Sequence, residues 1–318
     1  MKAVVVGGGS WGTGFSRFLR DRQFEVTLAT RSGEDAAAIN ATGRNPRFLP
    51  DVDLEGVAAA TIAEAPVEDA DLVVVALPSR AFRSVVEGLP GTAPLLSLTK
   101  GLDPASGHRL STLVRGRPVA VMSGPNFAEE VAAGLPGAAV IASEDAGFAR
   151  SLQESLNSTV FRIYLNDDLI GVELCAAAKN VIALAAGACD GLEVGDNAKA
   201  ALITRGLAEI ARLGEAAGAA PDTFYGLAGM GDLVGTCWHP SGRNRRAGEL
   251  IARGRTPDQA IAEIGQVVEG LATAPVLRDL SREMNVELPI TESVCFVLEG
   301  HSLLDLAEGL MGRAPTDE

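Results

Sequence analysis

A run of three valines near the N-terminus leads directly into a glycine-rich turn. The turn reads Gly7-Gly8-Gly9-Ser10-Trp11-Gly12, and a helix-like segment at residues 15–22 and a strand-like segment at residues 25–29 follow it. A strand, a Gly-x-Gly-x-x-Gly turn, a helix and a second strand form the first βαβ unit of dinucleotide-binding folds. The sequence therefore predicts such a unit at the N-terminus.

The three glycines of the motif have separate predicted roles. Gly7 permits the tight turn, Gly9 lets the backbone approach a pyrophosphate, and Gly12 allows the helix to pack closely on the strand. The start of the helix would then face the anion. A glycine-rich turn that binds nothing is the alternative interpretation.

The end of the second strand bears on the choice of cofactor. Sites selective for NAD usually carry Asp or Glu there, whereas this chain has Thr30-Arg31-Ser32-Gly33. Arg31 could pair with a 2′-phosphate through its planar guanidinium, and Ser32 could add a hydroxyl donor. NADP(H) is therefore the preferred cofactor and NAD(H) a possible one. A solvated loop arginine is the alternative for Arg31.

Composition excludes several classes of function. The 318 residues are 47% hydrophobic and carry a net charge of −14, which supports a large core and disfavours binding to nucleic acid or an anionic membrane. The four cysteines and three histidines show no metal-ligand spacing, so we expect reduced thiols, no metal and a cytoplasmic location. The apolar segment around residues 175–189 predicts a buried helix and no membrane insertion, because Lys179 and Asn180 interrupt it.

The chain divides into two predicted domains of different class. Strands alternate with helices up to about residue 165, at residues 2–6, 25–29, 72–76, 95–98, 119–122, 138–141 and 161–164. Helical patterns follow at residues 170–187, 198–217, 244–253, 257–265, 273–284 and 289–299. This order predicts an α/β fold in which a Rossmann-type, mostly parallel sheet (residues 1–168) precedes an all-α domain (residues 169–318). The polar tail at residues 313–318 is expected to be mobile.

The loops after three strands are the predicted lining of the site. Ligands bind beyond the carboxyl ends of the strands in such sheets. This rule selects residues 77–79, 99–101 and 123–126. Lys100 lies in the second of these loops, where its ammonium could meet a substrate phosphate or polarise a carbonyl. An ordinary surface lysine is the alternative.

Lys179 is the strongest candidate for catalysis. It stands among small and apolar residues, and desolvation lowers the pKa of a lysine towards the range of a general base. A hydride-transferring enzyme needs a group that takes the hydroxyl proton. The alternatives are a lysine that reaches the surface or pairs with Glu173 or a distant acid.

Two polar segments of the helical half could also contact a ligand. Asp232 is flanked by glycines and could accept from substrate hydroxyls, or cap a helix. The cluster Arg243-Asn244-Arg245-Arg246 suits phosphate, with Arg243 and Asn244 as the functional choice. Arg245 and Arg246 could instead be solvated or pair with Glu249.

Eight segments in the same order together resemble the bacterial NAD(P)-dependent glycerol-3-phosphate dehydrogenase family. They cover almost the whole chain and lie at residues 7–13, 99–102, 123–128, 178–183, 201–206, 229–233, 243–246 and 265–270. The resemblance implies a Rossmann domain joined to a helical domain. It also implies reversible reduction of dihydroxyacetone phosphate to sn-glycerol 3-phosphate, a precursor of phospholipids.

The resemblance also implies roles for individual residues. Lys179 would be the proton acceptor. The substrate would be bound by Lys100, Gly124, Asn126, Lys179, Asp232, Gly242, Arg243 and Asn244. The cofactor would be bound by the motif glycines together with Ser10, Trp11, Arg31, Lys100, Ala128, Arg243, Val267 and Glu269. A homodimer is a further expectation.

Two residues depart from the family pattern. Gly242 stands where the family usually has Ser, which predicts weaker substrate binding unless Ser241 substitutes for it. Gly14 stands where Ala is usual and should cost about 1 kcal/mol of helix propensity. Two rival functions stay open: a dehydrogenase for a β-hydroxy acid or sugar acid, and a dinucleotide-binding sensor without catalysis.

Overall fold

An eight-stranded sheet occupies the N-terminal half of the chain, in a computed structural model that describes residues 1–301. Its strands are β1 (Lys2–Val6), β2 (Glu25–Thr30), β3 (Ala58–Thr61), β4 (Leu72–Val75), β5 (Leu95–Ser97), β6 (Val119–Ser123), β7 (Gly137–Ala142) and β8 (Phe161–Asn166). They lie in the order β3-β2-β1-β4-β5-β6-β7-β8, and only the β6–β7 pair is antiparallel. The predicted mostly parallel sheet is confirmed.

Both faces of the sheet are covered. Val5 of β1 belongs to an apolar cluster with Phe15 and Leu19, whereas Val4 on the opposite face packs with Phe82. Strands buried on both faces read as continuous apolar runs, which is why β1 is a run of valines. The covering helices are α1 (Ser10–Asp21), α2 (Gly33–Thr42), α3 (Ser79–Val86), α4 (Ala128–Ala132) and α5 (Ala146–Leu156), with a 3₁₀ turn at Leu110–Leu113.

The described residues after β8 form helices and no strand. They are α6 (Leu169–Gly191), α7 (Asp196–Ala216), α8 (Asp222–Tyr225), a π-helix (Leu227–Gly231), α9 (Asp232–Trp238), α10 (Arg243–Ala252), α11 (Pro257–Ile264), α12 (Glu269–Glu283) and α13 (Pro289–Leu298). The predicted helical character of this half is confirmed. The tail at residues 313–318 lies outside the described residues.

The prediction lacks two elements, β3 and α9, and places the start of one helix, α12, too late. β3 is absent from the prediction because its sequence, Ala-Ala-Ala-Thr, has no β-branched run, and it forms only by pairing with β2. α9 was also not predicted. α12 begins at Glu269, four residues before the predicted start, where the Gly270 N–H donates to Asn244 Oδ1 (2.8 Å). Contacts distant in sequence set this end.

Helix α6 is the core of the helical half. It is long and apolar enough to cross a membrane, but 94% of its most apolar window is buried inside the protein. Helix α10 packs on it through glycines: a Cβ on Gly187 would lie 1.8 Å from Arg245 O, and one on Gly248 would lie 1.9 Å from Leu184 O. The two helices therefore meet through main-chain atoms.

Candidate active site

The glycine-rich turn connects β1 to α1 with the predicted geometry. Gly7 has φ of +121°, and a Cβ there would lie 2.4 Å from Ala76 O. A Cβ on Gly12 would lie 1.8 Å from Gly7 O, so close packing requires glycine at this position. In contrast, a Cβ on Gly9 would meet nothing within 4 Å. The open space at Gly9, before the first N–H groups of α1, fits the approach of a pyrophosphate.

Exchange of these glycines should separate folding from cofactor binding. We expect Gly9→Ala to keep the wild-type Tm but to weaken NADPH binding at least about tenfold, because the methyl group would enter the open space in which the motif is predicted to hold a pyrophosphate. We expect Gly12→Ala to lower stability by about 1–3 kcal/mol through overpacking. Thermal unfolding and NADPH titration measure the two effects, and equal NADPH affinity in Gly9→Ala would contradict the assignment.

The other residues that are predicted to line the cofactor near the turn lie in α1 and at the start of α4. Ser10 is buried at the start of α1, and the Trp11 ring packs edge-on against Phe15 with 5.6 Å between the ring centres. Ala128 begins α4. A Cβ on Gly14 would lie 2.8 Å from Ala128 O, so Gly14 sets the approach of α1 to α4 in addition to its effect on helix propensity.

Arg31 directly follows β2 and is exposed. Among the described residues it makes no hydrogen bond or ion pair, so its guanidinium is available to an anion. Ser32 has a structural role, because its Oγ accepts from the N–H groups of Glu34 (3.1 Å) and Asp35 (3.4 Å) and so caps α2.

A buried carboxylate between two ammonium groups forms the centre of the site. Asp232, at the start of α9, accepts from Lys179 through Oδ1 and from Lys100 through Oδ2 (2.9 Å). Ser123 Oγ also donates to Oδ2 (3.2 Å). Lys179 also donates to Thr236 Oγ1 (3.0 Å), one turn after Asp232. Lys179 thus pairs with a distant acid, as one alternative held, and this acid lies in the site.

The surroundings of Lys179 give it the properties of an acid–base group. Burial, with repulsion from Lys100, outweighs the attraction of Asp232 and lowers the pKa of Lys179 to about 7. Burial alone would raise the pKa of Asp232, but the two ammonium groups hold it below its usual value. Near neutral pH, Asp232 stays ionised while Lys179 can take up or release a proton.

The Lys100 ammonium connects the nucleotide half to this centre. Besides Asp232, it donates to Asn126 Oδ1 (2.9 Å) and to Gly124 O (3.3 Å). Asn126 is buried, and its Nδ2 has no hydrogen-bond partner within residues 1–301. A buried donor without a partner in the protein indicates a ligand that accepts from it.

A chain of amides extends from the lysines to α10 and α12. Asn180 Nδ2 donates to Lys100 O (3.4 Å), and Asn180 Oδ1 accepts from Asn244 Nδ2 (2.9 Å). Asn244 Oδ1 in turn accepts from the Gly270 N–H. The side chain of Asn244 therefore holds α10 in place and keeps one amide hydrogen for a ligand.

The basic cluster separates into one free arginine and one structural arginine. Arg243 is exposed at the start of α10. Desolvation by the surrounding protein lowers the pKa of its guanidinium, and the carboxylates of Glu269 and Glu129 act in the opposite direction. Arg245 instead pairs with Asp190 and with Glu249 (3.2 Å), so the alternative of pairing with Glu249 is confirmed for it. Within the part of the chain that the structure describes, the guanidinium of Arg243 makes no hydrogen bond or ion pair.

Glu269, at the start of α12, forms a second link between the two halves of the chain. Its carboxylate accepts from the Ser79 N–H (3.2 Å) and from Ser79 Oγ (2.6 Å), at the end of the loop after β4. Val267 lies half-buried just before it. The loops predicted to line the site after β4, β5 and β6 therefore all reach residues of the helical half.

Comparison with known proteins decides the family. Profiles described as the N-terminus and the C-terminus of NAD-dependent glycerol-3-phosphate dehydrogenase match residues 2–149 and 168–307. The chain belongs to this family. Proteins called glycerol-3-phosphate dehydrogenase [NAD(P)+] from Streptomyces coelicolor and Parafrankia sp. are 44% and 46% identical to it, over 100% of the chain and 98% of each relative. A crystal structure of glycerol-3-phosphate dehydrogenase from Coxiella burnetii superposes with a TM-score of 0.94, at 37% identity, and covers 98% of this chain and 99% of that one.

Some residues that make contacts in the site were not predicted from the sequence. These are Ser79, Ser123, Thr236 and the side chain of Asn180. Thr236 lies four residues after Asp232, and helical spacing could have placed it on the same face. Ser79 and Ser123 were in predicted loops, but nothing local marks their partners. In this member of the family, Gly242 is the N-cap of α10 and offers no side-chain cap.

Proposed function

We propose that the chain interconverts dihydroxyacetone phosphate and sn-glycerol 3-phosphate with NAD(P)(H), and that its product serves glycerophospholipid synthesis. The observation that carries this function is the buried Lys179–Asp232–Lys100 cluster, which joins the carboxyl ends of the strands to the helical half. It supplies a proton donor with a pKa of about 7 at the place where a carbonyl would be reduced.

The proposed mechanism assigns one role to each group. The nicotinamide, when bound, supplies or accepts the hydride. Lys179 gives its proton to the carbonyl oxygen during reduction and takes it back during oxidation. Asp232 keeps both ammonium groups in place and compensates their charge. Lys100 and Asn126 contact the substrate, with Gly124 as part of the same loop.

The substrate phosphate would be bound at the start of α10. Arg243 has a free guanidinium there, and Asn244 keeps one amide hydrogen beside the first N–H groups of the helix. Gly242 adds only its main chain. Ser241 does not replace the missing hydroxyl freely, because its Oγ lies 2.9 Å from His239 Nδ1.

The cofactor would lie along the glycine-rich turn, with Gly7, Gly9, Ser10, Trp11 and Gly12 beneath the pyrophosphate. The remaining contacts proposed for it are Arg31, Lys100, Ala128, Arg243, Val267 and Glu269. NADP(H) is the preferred form because the exposed guanidinium of Arg31 follows β2, where an acid would favour NAD(H).

Reversal of the charge at Arg31 tests this preference. We expect Arg31→Asp to raise the KM for NADPH by about tenfold or more and to lower the KM for NADH, because the carboxylate repels a 2′-phosphate and accepts from the free ribose hydroxyls. Arg115→Asp, at an exposed position outside the site, is the matched control. An unchanged ratio of the two KM values would contradict the role of Arg31.

The pKa of Lys179 predicts opposite pH profiles for the two directions. Oxidation needs the neutral amine, so its kcat/KM should rise as pH increases through about 7. Reduction needs the ammonium form, so its kcat/KM should fall over the same range. Initial rates in both directions between about pH 6 and 9 measure this. Profiles that change in the same sense would contradict the assignment.

We also propose the organisation and setting of the enzyme. The boundary between a cofactor domain (residues 1–168) and a substrate domain (residues 169–318) is supported by the change from strands to helices between Asn166 and Leu169. A homodimer and a cytoplasmic location, without nucleic-acid partners, membrane insertion or metal, complete the proposal. Sedimentation tests the oligomeric state.

The decisive experiment follows NADPH absorbance after dihydroxyacetone phosphate is added to purified protein, with NADH in parallel. Oxidation of either cofactor supports the function. NADPH binding without oxidation, for this substrate and for a panel of β-keto acids, would favour the sensor. Oxidation with a keto acid alone would favour the hydroxy-acid dehydrogenase.

A further inference from the structure

The turn between α9 and α10 is organised around His239. Its Nδ1 accepts from Ser241 Oγ (2.9 Å) and from the Ser241 N–H (3.3 Å). Its carbonyl oxygen accepts from the Gly242 N–H (3.0 Å). One residue therefore fixes both positions that precede Arg243.

The same imidazole also contacts the nucleotide half. It stacks on the Phe127 ring with 4.1 Å between ring centres and 28° between planes. Its Nε2 lies 3.8 Å from Glu130 Oε1. Because Nδ1 accepts from Ser241 N–H, the proton of a neutral ring is on Nε2, towards Glu130. Phe127 directly follows Asn126, which bonds Lys100.

Asn244 and Arg245 hold the first turn of α10, through Asn180, the Gly270 N–H and Pro240 O, whereas Gly242 and Arg243 before them have few contacts. The N-cap residue of α10, Gly242, supplies no side-chain hydrogen bond. Among the described residues, the guanidinium of Arg243 makes no hydrogen bond or ion pair. The direction in which Arg243 points therefore depends on the main chain on either side of it, which the turn at residues 239–242 and the bonds of Asn244 hold.

We propose that His239 is a positioning residue for the substrate phosphate. It fixes the turn that presents Arg243 and couples that turn, through Phe127, to the loop that carries Asn126. The stacked pair thus joins the turn before Arg243 to the loop that carries Asn126, in addition to the link from Lys100 through Asn180 to Asn244. This inference rests on the proposed function.

Three variants of His239 separate its contacts. His239→Ala removes the acceptor and the ring, His239→Asn keeps an acceptor at the position of Nδ1, and His239→Phe keeps the stack alone. We expect His239→Ala to raise the KM for dihydroxyacetone phosphate about tenfold and to leave kcat within about threefold of wild type. His239→Asn should recover part of the KM. His108→Ala, at an exposed histidine, is the matched control.

A measurement without turnover accompanies the kinetics. Calorimetric titration of each protein with glycerol 3-phosphate in the absence of cofactor should show a Kd that rises in parallel with the KM. If the wild-type protein binds glycerol 3-phosphate but does not oxidise NADPH, the proposed function fails, and the Kd values alone decide the role of His239.

Thermal unfolding distinguishes positioning from a merely structural role. A lower Tm with wild-type KM and Kd in His239→Ala would overturn the proposal, and so would an unchanged KM and Kd at wild-type Tm. A raised KM and Kd in His239→Ala, with partial recovery in His239→Asn, would support it.

Discussion

Replacement of Lys179 by Ala should lower kcat roughly 10²- to 10⁴-fold while the Kd for NADPH stays at the wild-type value. Burial brings the pKa of the Lys179 ammonium to about 7, and within residues 1–301 the only other side-chain donor to Asp232 Oδ1 is the Thr236 hydroxyl (3.3 Å). Its loss removes proton transfer but leaves the glycine-rich turn intact. Single-turnover kinetics and NADPH titration measure the two effects.

The chain offers a matched control for this variant. Lys199 is also a buried lysine of the helical half, where it bonds Asp190 (2.8 Å) and lies 4.9 Å from the centre of the Trp238 ring. We expect Lys199→Ala to lose stability but to keep kcat per folded molecule. Lys179→Met, which keeps the buried volume, guards against misfolding. A Lys179→Met protein with wild-type kcat would contradict the assignment.

Replacement of Asp232 by Asn should damage both stability and catalysis. It leaves the ammonium groups of Lys100 and Lys179 without their shared anion, and the loss of one partner of a buried pair costs about 3–5 kcal/mol. Lys179 would escape part of this cost by losing its proton. The pH at which kcat/KM for oxidation rises should therefore shift to a lower value. Because reduction needs the ammonium form of Lys179, kcat for reduction should fall most.

The sign of the pH effect on stability follows from proton binding. In Asp232→Asn the folded state binds fewer protons at Lys179 than the unfolded state does, so the free energy of unfolding decreases as pH falls. Denaturation at several pH values measures it. Asp190→Asn, which also removes a carboxylate from between two cations, Lys199 and Arg245, is the control. This variant should lower the free energy of unfolding but should not shift the pH at which kcat/KM for oxidation rises.

The sequence predicts the framework of this fold well because local patterns carry it. The valine run of β1 and the glycines after it specify a strand, a turn and a helix within twelve residues. β3 and α9 were not predicted, because their local sequences do not specify them. An alanine-rich edge strand has no local signal, and α9 is a helix of only 7 residues that follows a π-helix.

The sequence singles out the charged side chains at the centre of the candidate site, but neither their contacts nor the hydroxyl and amide groups around them. Lys179 is conspicuous because it lies among apolar residues, yet its partner Asp232 lies 53 residues further along the chain. The bond between Ser79 and Glu269 spans 190 residues. Such pairs form when distant parts of the chain pack together, and residue spacing in the sequence does not predict them.

The glycine contacts between α6 and α10 fix the distance between the main chains of these two helices. Lys179 lies on α6 and Arg243 begins α10, and these helices touch through main-chain atoms at Gly187 and Gly248. Main-chain contacts cannot lengthen by a change of rotamer, as contacts between long side chains can. The span between the main chains that carry Lys179 and Arg243 is therefore fixed, and a substrate must match its distance from carbonyl to phosphate to that span within the reach of the two side chains.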